Sequence, residues 1–217
     1  MPMRSLPLPA ISDLMPRLPV KYRAIVAIGV GTGCRVTEIV KLRRFDLLTS
    51  AGELRQEVAF LKLKAEKKEK KKGKKEKNLL LPVHHRKMSI PTTLQPYILE
   101  HLRHEELSGF DRPDDYVFRG KLGSHLSRQR VYKVFRALLG EGYGTHWMRK
   151  TFAQELFRYF LQQNPADPMR ALELTRQALD HARIDTTIKY LGITATAISD
   201  AQESIFTPLS TKEQLHE

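Results

Sequence analysis

Five side chains that could carry acid–base or nucleophilic chemistry stand in four short stretches of the sequence. Arg35 follows a glycine break and enters a helical pattern, while His146 and Arg149 are three residues apart, a spacing that puts both on one face of a helix. His181 and Tyr190 follow near the carboxyl end. Arginine presents a planar fork of donors to anions, histidine exchanges protons near neutral pH, and tyrosine offers an oxygen nucleophile.

Each of these residues also has a purely structural interpretation when it is taken alone. Arg35 could be a surface arginine at a helix start, and His146 could cap a helix or lie in the core. Tyr190 could end a helix with its ring buried and its hydroxyl at the surface. Only the joint arrangement of the set favours a common site.

Hydrophobic periodicity predicts a mostly helical chain that would position these stretches. Helical spacing, caps and glycine or proline stops place seven helices. They are expected at Ile11–Met15 (closed by Pro16 and Pro19), Val20–Val30 (broken by Gly31 and Gly33), Val36–Leu42, Thr92–Leu107 with Thr92 as its cap, Ser127–Leu139 with Ser127 as its cap, His146–Leu161, and from Asp167 and Pro168 onward, with a further short helix from Asp185 to about Tyr190.

Between Phe45 and Pro91 the period changes from that of a helix to that of a strand. Apolar residues alternate with polar ones around Val58 and Phe60, and short apolar runs follow at Leu79–Val83 and Met88–Ile90. These runs predict a small antiparallel sheet near the N-terminal third of the chain. The fold class is therefore α+β, mostly helical, in one domain over residues 1–217 with an N-terminal arm at 1–19.

The chain is strongly basic, which favours a polyanionic partner. It holds 37 Lys and Arg against 24 Asp and Glu, a formal net charge of +13. Ten lysines and three glutamates crowd into residues 62–77. That segment is either a solvated loop or a hairpin that grips nucleic acid.

Composition also bounds the compartment. The longest apolar run, Ala24–Val30, is far shorter than the roughly 20 residues that a membrane-spanning helix needs. Prolines interrupt the N-terminus where a signal peptide would be apolar, and Cys34 is the single cysteine. We therefore expect a cytoplasmic, nucleoid-associated protein without a membrane partner.

Together the stretches resemble the tyrosine recombinase (phage integrase) family. Gly33, Arg35 and Glu38 are similar to the G-x-R-x-x-E/D context of that family, and His146–Arg149 resembles its H-x-x-R helix. Leu179–Tyr190 is similar to L-G-H-x-x-I-x-T-T-x-x-Y over a dozen positions. The resemblance covers roughly residues 20–195.

The resemblance implies cleavage and rejoining of DNA through a 3′-phosphotyrosyl intermediate. Tyr190 would be the nucleophile, Arg35 and Arg149 would bind the non-bridging oxygens, and His146 and His181 would donate hydrogen bonds or relay protons. Neither a cofactor nor a metal is implied. The expected partner is double-stranded DNA with a specific site.

In the family a lysine of the sheet's hairpin protonates the leaving oxygen, and several lysines here could do so. The strand that precedes the lysine-rich segment resembles that of integrases in a way that favours Lys67. Lys64 fits nearly as well, and Lys87 is the alternative if the hairpin is instead Leu79–Ile90. The lysines that would contact DNA around this hairpin are Lys64, Lys70, Lys71, Lys72, Lys74 and Lys75.

The sequence departs from the family pattern in three ways. Asp180 replaces the glycine before the histidine, so a different backbone is possible there, and the interval from Arg149 to His181 is longer than usual. We also expect the chain to lack the N-terminal core-binding domain, as the short fimbrial-switch invertases do. Residues 191–217 would be the docking segment of a tetramer on DNA.

Two alternatives stay open beside a recombinase that integrates, excises, inverts or resolves DNA. One is a type IB topoisomerase-like enzyme that relaxes DNA with similar residues, although the L-x-H-x-x-I-x-T-T-x-x-Y stretch disfavours it. The other is a catalytically silent DNA-binding regulator of the same fold, which the intact set of residues disfavours.

Overall fold

The computed structural model describes residues 4–62, 84–121 and 123–192. Helices make up most of this part of the chain, and two strands form its sheet. The helices are α1 (Leu8–Leu14), α2 (Val20–Thr32), α3 (Val36–Ile39), α4 (Arg44–Leu47), α5 (Gln95–Leu107), α6 (Arg128–Leu139), α7 (Trp147–Gln163), α8 (Pro168–Ala178) and α9 (Ile184–Leu191), with 3₁₀ turns at Met15–Arg17 and Thr92–Leu94 and strands β1 (Val58–Lys62) and β2 (His84–Met88).

Two compact units divide the chain, Met1–Phe152 and Ala153–Glu217. The first is built around α2, whose five consecutive residues from Ala24 to Ile28 have no solvent exposure. A helix that is apolar on all sides must be surrounded by other elements, and α2 packs against α5 and α3. The prediction of a single catalytic domain over the whole chain stays a prediction.

The sheet has the antiparallel form expected from the alternating pattern. β1 pairs with β2 in a register that sets Val58 opposite Met88 and Phe60 opposite Arg86. Val58 and Phe60 are fully buried, two residues apart, because alternate side chains of a strand share one face. The mostly helical α+β fold class is confirmed.

The second strand differs from its prediction. β2 occupies His84–Met88, so it ends where the predicted run Met88–Ile90 begins. Ile90 is instead buried beyond the strand, just before the 3₁₀ turn. The other predicted run, Leu79–Val83, lies outside the described residues.

Local signals predicted some helix starts correctly and others incorrectly. The Ser127 hydroxyl accepts from the Arg130 N–H, so the predicted cap of α6 is confirmed. α8 begins at Pro168, as predicted, and the Asp167 carboxylate caps it by accepting from the Arg170 N–H. Thr92 does not cap α5, because a 3₁₀ turn intervenes and α5 begins at Gln95.

Helix ends near the N-terminus match their predictions only in part. Pro16 lies inside the 3₁₀ turn that continues α1, where a missing N–H costs no hydrogen bond, and this helical stretch ends before Pro19. α2 runs past Gly31 to Thr32 and ends only at Gly33, whose φ of 62° is left-handed. α3 is one turn long and ends at Ile39, short of the predicted Leu42.

The second unit contains α8, α9 and the end of α7. α8 packs against α9, and the Gln154 side chain donates from Nε2 to the Leu191 carbonyl at 3.2 Å. Ala171, Leu172 and Leu179 form its buried apolar side. Across the described ranges no helix is both long and apolar enough to cross a membrane.

Candidate active site

Arg35 is held where α2 gives way to α3. The chain leaves α2 through Gly33 and is extended at Arg35, which precedes the first turn of α3. Glu38 makes two hydrogen bonds to Arg35, since its carboxylate accepts from the Arg35 backbone N–H at 2.8 Å and from Nη1 at 3.0 Å. A side chain that is partly exposed is thereby fixed at its base and at one edge of its guanidinium.

Arg149 approaches the same bend from α7. Only 1% of this residue is exposed, and its Nη1 donates to the Gly33 carbonyl at 2.6 Å. The bond joins positions 116 residues apart in the sequence. The two predicted arginines of the first unit are therefore anchored on one short segment of backbone.

His146 lies just before α7, one residue outside the helix that was predicted to include it. Its carbonyl accepts from the Lys150 N–H at 3.0 Å, which starts the helical hydrogen bonding. Burial lowers the pKa of His146, and the nearby charges of Arg128, Arg149 and Arg35 lower it further. The imidazole is therefore largely neutral at pH 7, with one donor and one acceptor nitrogen.

A cleft of about 330 Å³ opens beside His146. Arg128 and Arg136 line it together with Tyr132 and Tyr143. A second cleft, of about 760 Å³, lies along the start of α6, where Lys21, Arg119, Lys121 and Arg130 line it. Both clefts offer cationic donors to an anionic ligand.

The second unit holds the other two predicted residues. The His181 Nδ1 lies 3.0 Å from the Thr187 Oγ1, and neither residue is more than 5% exposed. The ring of Tyr190 is tilted against that of His181, with 5.1 Å between the ring centroids. One turn of α9 separates Thr187 from Tyr190, so the same short helix orients both groups.

The backbone before His181 has the conformation that glycine favours, although no glycine is present. Asp180 has a φ of 51° and is the one non-glycine residue with positive φ among the described residues. Its N–H donates to the Gln177 carbonyl and that of His181 donates to the Arg176 carbonyl. This pair of bonds is a Schellman motif, which ends α8 with a left-handed residue.

The lysine predictions fall mostly outside the described residues. Lys64 and Lys67 lie there, as do the other predicted DNA-binding lysines, Lys70, Lys71, Lys72, Lys74 and Lys75. Lys87, the remaining alternative, is exposed on β2 opposite Ala59. The choice among the lysines stays a prediction.

The Cys34 thiol and the carboxylate and imidazole groups add neither a reactive thiolate nor a metal site to the described residues. Cys34 adjoins Arg35, but burial raises the pKa of its thiol to about 11, so the thiolate is scarce at neutral pH. Within residues 4–62, 84–121 and 123–192, His, Cys, Asp and Glu form no group of three that could hold a metal ion.

Three contributors were not identified from the sequence. Arg128 adds a charge near His146, Thr187 contacts the His181 ring, and Arg86 donates from Nη2 to the Thr32 carbonyl at 2.6 Å, two residues before Cys34. Arg128 and Thr187 had local signals, since Arg128 follows the Ser127 cap and Thr187 belongs to the stretch Leu179–Tyr190. Arg86 acts through a tertiary contact, 54 residues from Thr32.

Comparison with known proteins identifies the family of the chain. The model of the phage integrase family matches residues 4–196. The tyrosine recombinase XerD of Listeria innocua is 28% identical over 194 residues, which are 87% of this chain and 56% of the relative. XerD of Oceanobacillus iheyensis is 26% identical over 193 residues, 87% of this chain and 55% of the relative. The chain thus spans little more than half the length of these relatives.

Solved structures share the fold at lower identity. The crystal structure of XerA recombinase aligns with a TM-score of 0.61 at 18% identity, covering 96% of this chain and 65% of the other. XerH recombinase in a post-cleavage complex with its palindromic difH substrate aligns with a TM-score of 0.59 at 19% identity, covering 92% and 52%. Because the family model matches most of its length, the chain belongs to the phage integrase family.

Proposed function

We propose that this chain carries out site-specific DNA recombination, cleaving and rejoining strands through a covalent link to Tyr190. The substrate is double-stranded DNA with a specific site. The event is an integration, excision, inversion or resolution.

The cations gathered around His146 carry this proposal. Arg35, Arg128 and Arg149 each lie close enough to lower the pKa of that imidazole. Like charges held together repel one another, and an anion bound among them would relieve the repulsion. A DNA phosphate matches this need, because its non-bridging oxygens accept from the forked donors of arginine.

The chemistry follows from the residue types. The Tyr190 oxygen bonds to phosphorus, the bond from phosphorus to the 5′ oxygen breaks, and the tyrosine hydroxyl gives up its proton to one of the two histidines. The arginines stabilise charge on the non-bridging oxygens, while His146 and His181 hydrogen-bond or relay protons. The leaving 5′ oxygen takes a proton from Lys67, with Lys64 and Lys87 as alternatives. The phosphotyrosyl ester conserves the bond energy for rejoining, and side-chain donors serve where other enzymes use a metal.

The surface along α6 supports duplex DNA as the ligand. Arg128, Arg130 and Lys133 are exposed on this helix, which borders both cationic clefts. Each phosphate that such side chains neutralise releases counterions, so binding should weaken steeply with salt. We propose that the lysines of segment 62–77 also bind phosphates.

The similar proteins support the same function by what they are known to do. XerD is called a tyrosine recombinase, and XerH was solved with its difH substrate before and after cleavage. An integrase of the Tn1549 transposon shares the fold with a TM-score of 0.57 at 13% identity. Recombination within a mobile element is one setting for such an activity.

Recombination also requires more than one subunit, since each contributes one nucleophile and two duplexes must exchange strands. We propose a tetramer on paired sites in the cytoplasm, associated with the nucleoid and joined through residues 191–217. Deleting residues 192–217 should leave DNA binding and abolish the synaptic complex, as scored by native gel electrophoresis. Synapsis by the shortened protein at the full-length rate would refute this docking role.

Trapping on a nicked suicide substrate tests the proposed chemistry. The unsubstituted chain should form a covalent adduct with DNA, and Tyr190→Phe should form none while it still binds DNA. Tyr159→Phe is the matched control, because that tyrosine is 55% exposed in the same unit, and it should react normally. An adduct with the Tyr190→Phe protein would refute the assignment of the nucleophile.

The target sequence is found by binding-site selection from random duplexes before the trapping is done. No adduct on the selected site would favour the silent DNA-binding regulator. Relaxation of supercoiled plasmid without exchanged products would favour the topoisomerase-like enzyme. Recombinant joints between two selected sites support the proposal.

Arginine substitutions test how the phosphate is held. Arg35→Ala and Arg149→Ala should each slow adduct formation by about two to three orders of magnitude, the usual cost of losing a transition-state donor. Lysine at either position should restore little, because a point charge cannot replace the fork. Near-normal cleavage by either alanine variant would show that its arginine is structural.

A further inference from the structure

The main chain of His181 is held on both sides by a single residue, Arg176. The His181 N–H donates to the Arg176 carbonyl at 3.1 Å, as the closing bond of α8. In return the Arg176 guanidinium donates from Nη1 to the His181 carbonyl at 2.5 Å. One arginine therefore fixes both polar groups of the peptide backbone at His181.

Glu173 holds the Arg176 guanidinium in the orientation that this contact needs. Its Oε2 accepts from Nε at 2.8 Å and its Oε1 accepts from Nη2 at 2.7 Å, a two-pronged ion pair one helical turn apart. Gln177 donates to the same carboxylate at 2.9 Å. With two of its nitrogens engaged by Glu173, the guanidinium directs Nη1 at the His181 carbonyl.

The imidazole of His181 is fixed from the other side. Its Nδ1 contacts Thr187, and Thr187 belongs to the helix that carries Tyr190. Backbone and ring together set where the remaining ring nitrogen points. Directly before His181, Asp180 has a left-handed backbone conformation that residues other than glycine adopt at some cost.

We propose that Arg176, braced by Glu173, is a positioning residue that sets the His181 imidazole for the strand-cleavage step. The inference rests on the proposed recombinase function. Arg176 touches neither substrate nor reacting atoms in this mechanism and acts only through His181. Arg176→Ala should therefore slow adduct formation by about tenfold to a hundredfold, the usual effect of misplacing a catalytic group.

A double-substitution cycle distinguishes positioning from general loss of structure. Single-turnover adduct formation is measured for Arg176→Ala, His181→Ala and the combination, each with DNA saturating. If Arg176 acts through His181, its removal costs nothing further once His181 is absent. An equal loss in both backgrounds overturns the proposal, as does an Arg176→Ala rate within twofold of the unsubstituted protein.

Arg158→Ala is the matched control. Arg158 pairs with Glu155 at 2.6 Å with the same three-residue spacing in the same unit, and it should leave cleavage unchanged. Arg176→Lys keeps the charge without the fork and should recover only part of the lost rate. Full recovery by lysine would show that charge alone is at work, which also overturns the proposal.

A spectroscopic measurement separates this inference from the proposed function. The ring Cε1–H signals of ¹³C-labelled histidine are recorded without DNA, and the His181 signal is identified by its loss in His181→Ala. Arg176→Ala should shift that signal and Arg158→Ala should not; an unmoved signal overturns the positioning. Absence of an adduct from the unsubstituted protein would instead overturn the proposed function, and the catalytic role of Arg176 with it.

Discussion

Replacing Gly33 with alanine should destabilise the first unit more than the same replacement at any other glycine in a bend of that unit. Gly33 closes α2 with a φ of 62°, and its carbonyl accepts from Arg149. A Cβ built there would lie 2.3 Å from Cδ1 of the Phe152 ring. The substitution therefore meets two separate penalties, one from the backbone and one from packing.

Each penalty has a known size. A side chain in the left-handed region costs about 1–2 kcal/mol. Forcing a methyl against a packed ring costs about 1–3 kcal/mol. Gly33→Ala should thus lower the free energy of unfolding by about 2–5 kcal/mol, which at roughly 3 kcal/mol per molar urea is a fall of about 1 M in the midpoint.

Two other glycines separate these contributions. Gly52 has a φ of 79° with no atom within 4 Å of its built Cβ, so Gly52→Ala should lose only the backbone contribution. Gly29 lies within α2, and its Cβ would meet the flexible Met148 side chain at 2.6 Å. Since alanine favours a helix over glycine by about 1 kcal/mol, Gly29→Ala should cost about 0–2 kcal/mol.

Urea titration followed by tryptophan fluorescence measures all three. Trp147 is the single tryptophan and is fully buried in the first unit, so its emission reports the unfolding of that unit. Adding Phe152→Ala should bring the cost of Gly33→Ala down to that of Gly52→Ala. The reasoning fails if Gly33→Ala costs no more than Gly52→Ala, or if removing the ring leaves its cost unchanged.

Three further outcomes are expected. Burial lowers the pKa of His101 to about 4. As pH falls below about 6.5, the unfolded state therefore binds a proton at this histidine before the folded state does, and the free energy of unfolding should drop by up to about 1.4 kcal/mol per pH unit down to pH 4. His101→Gln should make the urea midpoint less dependent on pH over that window, and an unchanged slope contradicts the assignment. Arg86→Ala should slow adduct formation about tenfold with little change in DNA affinity, because the Thr32 carbonyl near Arg35 loses its donor; equal rates would limit Arg86 to a structural role. Thr187→Val should slow adduct formation by a similar factor and Thr187→Ser should not, since only the hydroxyl contacts the His181 ring; matching rates for valine and serine would exclude that role.

Local sequence patterns were enough for the family, the fold class and several helix starts. Ser127 and Asp167 cap their helices with their own side chains, and the strand period at Val58 and Phe60 matches one buried face. Such features depend on residues only a few positions apart, so they can be recognised from the chain alone. The motif spacing between His181 and Tyr190 is likewise local, because α9 spans most of it.

Tertiary structure decided how the site residues are held. The bond from Arg149 to the Gly33 carbonyl joins positions 116 residues apart, and no local pattern indicates it. The lowered pKa of His146 depends on burial and on the charges of Arg128 and Arg35, which reach it through folding. The strand at His84–Met88 replaced the predicted Met88–Ile90 because its residues pair with β1, whereas Ile90 packs into the core. Sequence therefore determines which groups can react, and long-range packing determines their orientation and charge, because both depend on neighbours that are distant along the chain.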